Sequence, residues 1–478
     1  MRIRFDLGQS SYSRHFLGVI EALGRRGHAV ETEAFWDDEV FLRKPIATAD
    51  HRQILMRKAK VRGGSLGLLG YFLRCARDRL LYRRPGFASE SLVARRISNH
   101  LTMGLEGEDN VLGMQLARFI ESLSSEQAMA FDGLLTRIEN LIPHDPGLEQ
   151  VLSPEPTSPK RSKSPFGFRA SPPVSSRPDV LCITPLVVTQ IGQAELVKAA
   201  KALGIPVVFL ANSWDNLTTK GTIHVKPDWT IVWNQVQARE AVDLHGIPEE
   251  SILVTGAPRF DDFFARRPAQ TREEFFRAHR LDSSRPAITY LGSSNLISAD
   301  ETSFVRQWIQ TVRGSSCRTL SQANLILRPH PKFRTGWEEI GSEGQGIAVC
   351  ASEGLNNDDL LYHCLYHSQA VVGVNTSAEL EAAILHKPVL TIKDPSFDSG
   401  QEGTIHFHYL LKAHGGFVEK AEGLAEHADQ LARVVSEGDV PARNREFLER
   451  FLRPGGLERP AAEVTADAIC TLLERSKK

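Results

Sequence analysis

Short apolar runs alternate with amphipathic stretches along most of this chain. At its start, the pattern predicts a strand at residues 3–7, a helix from Phe16 to Leu23, and a second strand at residues 30–34. In the helical stretch apolar residues recur three and four positions apart, as a single buried helix face requires. A strand, a helix and a second strand in this order form a βαβ unit, which is the building block of α/β domains.

The same alternation continues in two sets of elements. Strands are predicted at residues 179–184, 205–210, 229–233 and 252–255 in the first set, and at 287–291, 324–328, 348–351, 370–374 and 388–392 in the second. Strands that alternate with helices imply parallel sheets. A polar, charged stretch at residues 265–285 separates the two sets, and a last helix is predicted over about residues 461–475.

The predicted fold class is therefore α/β, with two Rossmann-like, doubly wound domains that face a cleft. We place the N-terminal domain at residues 1–265, the C-terminal domain at 280–455 and a C-terminal helical segment at 456–478. In such sheets ligands bind where the strands end, so the loops that follow the strands are the first places to look for chemistry.

Two stretches of the N-terminal domain depart from this alternation. Residues 52–84 contain ten Arg or Lys against one acid, Asp78, with leucines and aromatic residues between them. This pattern fits a basic helix on an anionic membrane surface, or a solvated helix whose apolar side packs on the core. Residues 153–178 contain seven prolines and seven serines, and they predict a flexible insertion because such a composition buries too little apolar surface to fold alone.

Composition is typical of a globular protein. The chain has 478 residues, of which 41% are apolar and 24% charged, and its net charge of −1 gives no overall attraction to nucleic acid. None of the six cysteines has the spacing of a metal site, and we expect them to be reduced. The first residues predict a strand rather than a signal peptide, and no apolar run has the length of a membrane span. We expect a cytoplasmic protein, with peripheral contact at the inner face of the membrane through residues 52–84 as the alternative.

The clearest candidate site follows the predicted strand at residues 370–374. Asn375 ends that strand, and Thr376 or Ser377 stands where a helix would begin. The free N–H groups and the positive dipole end of a helix N-terminus suit a diphosphate. Glu381 lies about one turn further on and could accept hydrogen bonds from ribose hydroxyls. The same residues could equally form a plain helix cap.

Two further loops of the second set carry polar residues at strand ends. Arg328 and His330 lie in a proline-stiffened turn, where cationic groups could neutralise phosphate oxygens. Ser293 and Ser294 follow another strand, and small residues there allow the backbone to approach a ligand. Each loop could instead be a solvated turn.

The first set contains two loops of similar character. Asp215, Asn216 and Lys220 lie in a polar stretch after a buried strand, where they could contact hydroxyl groups of a sugar or an acceptor. Arg14 and His15 lie in the first loop, and His15 could act as a general base because its pKa lies near working pH. A histidine at the start of a helix can also have no chemical role.

Several of these segments together resemble GT-B glycosyltransferases. The segments that carry the resemblance are residues 13–30, 214–234, 256–261 and 373–389. The second and third of them are similar to bacterial surface-polysaccharide transferases, which lie near the CDP-glycerol glycerophosphotransferases and the capsule transferases. The resemblance covers about residues 1–35 and 179–475, and it leaves out the basic segment and the Pro/Ser-rich insertion.

The resemblance implies a donor diphosphate held by the second domain, through the loops at residues 293–295, 328–330 and 375–377, and an acceptor bound by the first domain. It also implies that the last helix crosses back onto the first domain. No metal ion and no cofactor are expected, because the nucleotide-activated donor is itself a substrate. The sequence also lacks the Asp-x-Asp pair that commonly holds a divalent ion in metal-dependent glycosyl transfer.

The predicted function is the transfer of a sugar from a nucleotide-sugar donor to a carbohydrate or lipid-linked acceptor in surface polysaccharide biosynthesis. His15 or Asp215 would be the catalytic base, and Arg14, Asn216 and Lys220 would contact the acceptor. Alternatives are a CDP-glycerol-type glycerophosphotransferase, a UDP-N-acetylglucosamine 2-epimerase and a nucleotide-binding scaffold without activity. Two features argue against the epimerase. That family usually has an Asp-Ser-Gly-Gly turn before a pair of adjacent glutamates, whereas this chain lacks the turn and its Glu379 and Glu381 are not adjacent.

Overall fold

The computed structural model describes residues 1–9, 12–36, 55–56, 64–85, 87, 107–153, 177–189, 192–294, 300–331, 334–351, 357–393, 404–437 and 443–475. These residues form two compact units. Unit 1 contains the described residues of 1–89 and 94–259 together with those from 453 onward, and unit 2 contains those of 260–452. Among the described helices, none combines the length and the apolar character needed to cross a bilayer.

Unit 1 consists of a sheet and the helices around it. Its strands are β1 (Arg2–Gln9), β2 (Ala29–Trp36), β3 (Leu55–Met56), β4 (Val180–Thr184), β5 (Val207–Leu210), β6 (Trp229–Val232) and β7 (Ile252–Val254). Its helices up to residue 259 are α1 (Ser13–Arg25), α2 (Gly64–Leu81), α3 (Gly107–Ser122), α4 (Ser125–Leu141), α5 (Pro146–Leu152), α6 (Gln193–Ala202) and α7 (Gln235–His245).

Unit 2 repeats this construction. Its strands are β8 (Ala287–Leu291), β9 (Asn324–Arg328), β10 (Ile347–Val349), β11 (Ala370–Gly373), β12 (Val389–Ile392) and β13 (Val418–Ala421). Its helices are α8 (Asp261–Ala265), α9 (Arg272–Ala278), α10 (Thr302–Arg313), α11 (Arg318–Ser321), α12 (Trp337–Gly341), α13 (Asn357–Tyr366), α14 (Ala378–Ile384), α15 (Ile405–His408), α16 (Leu424–Glu437) and α17 (Arg443–Phe451). The chain then returns to unit 1 with α18 (Ala461–Arg475).

Both sheets are parallel and doubly wound. The strand order is β3-β2-β1-β4-β5-β6-β7 in unit 1 and β10-β9-β8-β11-β12-β13 in unit 2. In each sheet the order reverses beside the first strand, between β1 and β4 and between β8 and β11. Such reversal points open a crevice at the carboxyl ends of the strands, because the loops there leave in opposite directions.

The predicted α/β class with two doubly wound sheets is confirmed, and every strand predicted from the sequence is present. The sequence analysis missed β3 and β13 and the helices between residues 107 and 152. The predicted cleft between the domains stays a prediction.

The core of unit 1 joins the two ends of the chain. Phe16, Ile20 and Leu23 of α1 pack in one apolar cluster with Ala466 and Ile469 of α18. The two helices approach so closely that a Cβ on Gly18 would lie 3.0 Å from the Cβ of Ala462. Arg26 at the end of α1 reinforces the contact with hydrogen bonds to Glu463 and Asp467, at 2.8 and 2.6 Å.

The arginines of α2 do not form a basic surface. Arg74 donates to Glu139 at 2.7 Å and to Glu195 at 2.5 Å, and Arg77 donates to Asp132 at 2.8 Å. All these side chains are buried. Arg79 is also buried and is paired with Glu121. For α2, the predicted basic helix with its charges turned to solvent or to a membrane is therefore wrong.

The rest of that prediction cannot be followed in the same way. Residues 52–54 and 57–63 lie outside the described part of the chain, as do residues 154–176 of the predicted flexible insertion. The described helix α2 forms the centre of a small helical layer. Its residues Phe72, Leu73 and Leu80 pack against Ile120 of α3 and Leu135 of α4.

Glu139 should be essential to this layer. Its carboxylate is fully buried and contacts both Arg74, at 2.7 Å, and Lys198 of α6, at 2.6 Å. Replacing one partner of a buried ion pair leaves the other charges uncompensated. We expect Glu139→Gln to lower the free energy of unfolding by roughly 3–5 kcal/mol, measured by urea denaturation.

The matched control is Glu126→Gln, which changes an exposed carboxylate in the first turn of the same helix, α4. This variant should stay within about 0.5 kcal/mol of the parent. Equal unfolding midpoints for the two variants would contradict the structural role assigned to Glu139.

Candidate functional site

The predicted donor residues of unit 2 meet at one edge of its sheet. Leu291 at the end of β8 pairs with Arg328 at the end of β9 on one side and with Gly373 at the end of β11 on the other. The loops that begin at Gly292, Pro329 and Val374 therefore leave the sheet side by side. This edge contains the reversal point between β8 and β11.

The loop after β8 is held by a buried carboxylate. Glu301 accepts hydrogen bonds from the backbone N–H of Ser293 at 2.7 Å, from its hydroxyl at 3.1 Å and from the Tyr290 hydroxyl at 2.9 Å. Burial raises the pKa of Glu301 to about 7. The donors of Ser293 are thus used within the loop, whereas Ser294 is partly exposed. Nothing in the sequence pattern distinguished Glu301 from a surface residue.

The loops after β8 and β9 touch each other. The backbone N–H of Gly292 donates to the carbonyl of Arg328 at 2.8 Å. A Cβ at Gly292 would lie 3.1 Å from both the His330 nitrogen and the Pro329 Cα, so a side chain at position 292 would push the two loops apart. His330 is partly exposed on the second of these loops.

Arg328 holds neighbouring backbone in place. Its side chain is buried, and its guanidinium donates to the Cys350 carbonyl at 2.6 Å and to the Asn357 carbonyl at 3.3 Å. These bonds tie the end of β9 to the residue after β10 and to the start of α13. The predicted contact of Arg328 with a diphosphate stays a prediction, but its removal would disturb the loops as well as the ligand.

The turn after β11 differs from the predicted helix cap. Ser377 takes the N-cap position of α14 without a capping hydrogen bond from its side chain, and the Thr376 hydroxyl accepts only a long bond of 3.5 Å from the N–H of Ala378. Asn375 adopts a left-handed backbone with φ of 56°, which asparagine tolerates better than most residues. Glu381 lies in the first turn of α14 and is partly exposed. The plain capping box is therefore not formed.

Two buried polar groups at this turn lack partners of standard hydrogen-bond geometry. The Asn375 amide nitrogen donates to the Thr404 hydroxyl at 2.8 Å, but its oxygen Oδ1 has no partner. Glu379 is fully buried, and neither of its carboxyl oxygens has one. The Glu379 side chain lies directly against Gly373, where a Cβ would come within 2.4 Å of its Oε1. The sequence pattern pointed to Glu381 as the binding carboxylate of this turn, and it gave no signal for the buried Glu379.

Glu379 should make the protein less stable as pH rises. Burial raises its pKa to about 8, and the N–H groups of Asn375 and Thr376 offset this only in part. Between its ordinary value of 4.5 and about 8, the unfolded chain loses this proton while the folded chain keeps it. Stability therefore falls with rising pH across this window.

We expect Glu379→Gln to remove this contribution, so that its stability relative to the parent increases from pH 5 to pH 8. The measurement is the melting temperature of both proteins across that range. Glu381→Gln is the matched control, since it changes a partly exposed carboxylate two positions away. Parallel curves for Glu379→Gln and the parent would show that the buried carboxyl does not titrate as described.

In unit 1, most of the predicted loop residues bind one another. The Asp215 carboxylate accepts hydrogen bonds from the hydroxyls of Ser213, at 2.5 Å, and Thr219, at 2.8 Å, and lies 3.3 Å from the Lys220 nitrogen. Asn216 is fully buried and uses its amide to bond the Asn212 N–H at 3.1 Å and the Pro185 carbonyl at 3.1 Å. These contacts favour a structural role for Asn216 and Asp215 over the predicted acceptor and catalytic roles.

His15 makes no such hydrogen bonds within the loop. It is only 9% exposed, and neither ring nitrogen has a hydrogen-bond partner of standard geometry. Burial holds the pKa of His15 well below its ordinary value, and the positive charges of Arg259, Arg14 and Lys220 lower it further. A neutral imidazole in this place is able to accept a proton.

The structure thus groups His15, Lys220 and Arg259 at the carboxyl edge of the unit 1 sheet, with Arg14 exposed beside them. Arg259 follows β7 and was not selected from the sequence. Among the described residues, no group of three or more His, Cys, Asp or Glu side chains is arranged to hold a metal ion. Metal-independent chemistry stays a prediction.

Comparison with known proteins adds evidence on the fold. No family model and no curated protein matches the chain. Among solved structures, it is similar to the UDP-GlcNAc 2-epimerase from Methanocaldococcus jannaschii, with 12% identity, a TM-score of 0.52, and coverage of 99% of this chain and 100% of the other. The chain has the GT-B fold.

Two further similar structures score lower. The UDP-GlcNAc 2-epimerase from Neisseria meningitidis has 11% identity, a TM-score of 0.49, and coverage of 98% of this chain and 100% of the other. The wall teichoic acid polymerase TagF has 11% identity, a TM-score of 0.44, and coverage of 100% and 90%.

Proposed function

We propose that this protein transfers a sugar from a nucleotide-sugar donor to a hydroxyl group of a glycan or lipid-linked acceptor, in the synthesis of a surface polysaccharide. The observation that carries the proposal is His15, a buried imidazole at the reversal point of the unit 1 sheet whose ring nitrogens make no hydrogen bond of standard geometry. A buried polar group without a partner costs stability, and such groups in a native protein call for an explanation in function.

The donor belongs at the carboxyl edge of the unit 2 sheet. The turn at Thr376 and Ser377 follows β11 at the reversal point, and the partly exposed Ser294, His330 and Glu381 lie on the loops and the helix around it. Arg328 and Glu301 act as positioning residues in this proposal, since both hold the loops. Asn375 contributes its unpartnered Oδ1, which can accept a hydrogen bond from the donor.

The chemistry follows from a neutral base beside an acceptor hydroxyl. As the acceptor oxygen attacks the anomeric carbon, its proton passes to a ring nitrogen of His15. The bond between that carbon and the donor diphosphate breaks, and the nucleoside diphosphate leaves with the electron pair. Backbone N–H groups and the His330 side chain at the unit 2 edge stabilise the charge on the leaving group.

One competing function has an observation in its favour. The solved structure with a TM-score of 0.52 to this chain is a UDP-GlcNAc 2-epimerase. Epimerisation needs a nucleotide sugar but no acceptor. The test is to incubate UDP-GlcNAc alone with the protein and look for the 2-epimer. If the 2-epimer forms, the assigned function is epimerisation and not transfer. A CDP-glycerol donor would instead make the same edges carry out phosphoryl transfer.

The direct test has two parts. The full chain is screened by thermal shift against UDP, CDP, GDP and CMP and their sugar or glycerol adducts, because a ligand that binds only the folded state raises the melting temperature. We expect nucleotides of one kind of nucleobase to raise the melting temperature clearly. Glu381→Gln should reduce this rise, and His15→Gln should leave it unchanged.

With the donor identified, His15→Gln should lower turnover by roughly 100-fold or more, as the loss of a general base does. Lys226→Gln, an exposed substitution in unit 1, is the control and should keep full turnover. A chain that responds to no nucleotide, or a His15→Gln variant as active as the parent, would refute the proposal.

A further inference from the structure

One part of the unit 1 edge is unexplained by a neutral hydroxyl acceptor. Beside His15 lies Asn212, which is 1% exposed and has no partner for either its amide oxygen or its amide nitrogen. A backbone hydrogen bond with Asn212 raises the pKa of His15, against the larger effects that lower it. That contact falls short of standard hydrogen-bond geometry, and the Asn212 side chain itself has no partner. Two adjacent, buried polar side chains with unfilled hydrogen-bonding groups suit a ligand group that completes the bonding.

The same place favours negative charge. The N-terminus of α1 has thirteen residues behind it, no side-chain cap from Tyr12 and no acidic residue in its first turn. Its positive dipole end suits an anion. Arg14 lies in that first turn, and Lys220 and Arg259 complete a group of three cations whose charges act on His15.

The cations are positioned by the loop around them. The Lys220 nitrogen donates to the Ser213 hydroxyl at 2.7 Å and lies 3.3 Å from the Asp215 carboxylate, which offsets part of its charge. Asn216 fixes the backbone of Asn212 through the 3.1 Å bond to its N–H. Of the residues at this edge, Asn216, Ser213 and Asp215 thus hold Asn212 and Lys220 in place.

We propose that the edge of unit 1 binds an anionic acceptor, whose phosphate or phosphodiester group lies at the N-terminus of α1 beside His15, Asn212 and Lys220. This inference rests on the proposed function and specifies the class of its acceptor. The bound charge would offset the three cations and make the His15 imidazole a stronger base only when the acceptor is present. Acceptor binding and activation of the base are then coupled.

Sulfate is a suitable probe, because it stays a dianion from pH 6 to pH 8 and cannot react. Melting temperatures of the full chain are measured against sulfate, with sodium chloride holding ionic strength constant. We expect a saturable rise in melting temperature, because an anion that binds only the folded state stabilises it.

Two further variants locate the site. Lys220→Gln should weaken sulfate binding at least about threefold, whereas Lys226→Gln, which removes an exposed lysine elsewhere in unit 1, should leave it unchanged. Asn212→Leu should not destabilise the free protein, because it removes an unpartnered buried amide, yet it should lose the sulfate response. A response that does not saturate, or that all variants share, means an adventitious ion only and overturns the inference.

Nucleotides separate this inference from the proposed function. If UDP or CDP competes with sulfate, the anion is the diphosphate of the donor and the acceptor assignment is wrong. If nucleotides shift the melting temperature and sulfate does not, the inference fails while the proposed function stands. If sulfate binds as expected and no nucleotide does, the proposed function fails, and the acceptor role fails with it.

Discussion

All the strands of each sheet run in one direction, and the rest of the molecule depends on this constraint. Parallel strands need a crossover after every strand, so all the loops that follow the strands collect at a single edge. In unit 2 this brings Ser293, Arg328 and Asn375 together although they lie far apart in the sequence, and in unit 1 it brings His15 beside Asn212. The strand order alone is enough to bring the residues of each group together.

This explains why the sequence predicted the fold well. Buried strands such as Val180–Thr184 and Ala370–Gly373 are continuous apolar runs, and α1 and α10 have one clear apolar face each. The helices between residues 107 and 152 were not predicted because they expose apolar residues such as Leu112 and Phe119. Apolar residues on the exposed side weaken the contrast between the two faces of a helix. A short strand at a sheet edge, such as β13, gives an even weaker signal.

The arginines of α2 show a limit of local charge counts. The segment with ten positive charges and one acid predicted a basic surface, but Arg74, Arg77 and Arg79 have partners that are distant in sequence: Glu121, Asp132, Glu139 and Glu195. A window of sequence shows how many charges it contains and not which way they face. Burial of Arg74 and Arg77 is therefore a property that only the tertiary structure reveals.

The candidate sites show the same limit in another form. Polar residues after a strand mark the carboxyl edge of the sheet, but some of them are used in hydrogen bonds within the loop and others are not. Asn216 and Arg328 have their hydrogen-bonding groups used by neighbouring backbone, whereas the buried side chains of His15, Asn212 and Glu379 make no hydrogen bond of standard geometry. That difference separates a structural residue from a candidate binding residue, and no residue type or spacing encodes it.

The central claim is that the carboxyl edge of the unit 2 sheet binds a nucleotide. Hydrogen–deuterium exchange of the full chain, with and without saturating UDP or CDP, tests it most directly. The account predicts slower exchange in the loop after β8, at residues 292–294, and in the turn and helix at residues 374–381. No change with either nucleotide, or protection confined to the opposite edge near Pro388 and Phe417, would contradict it.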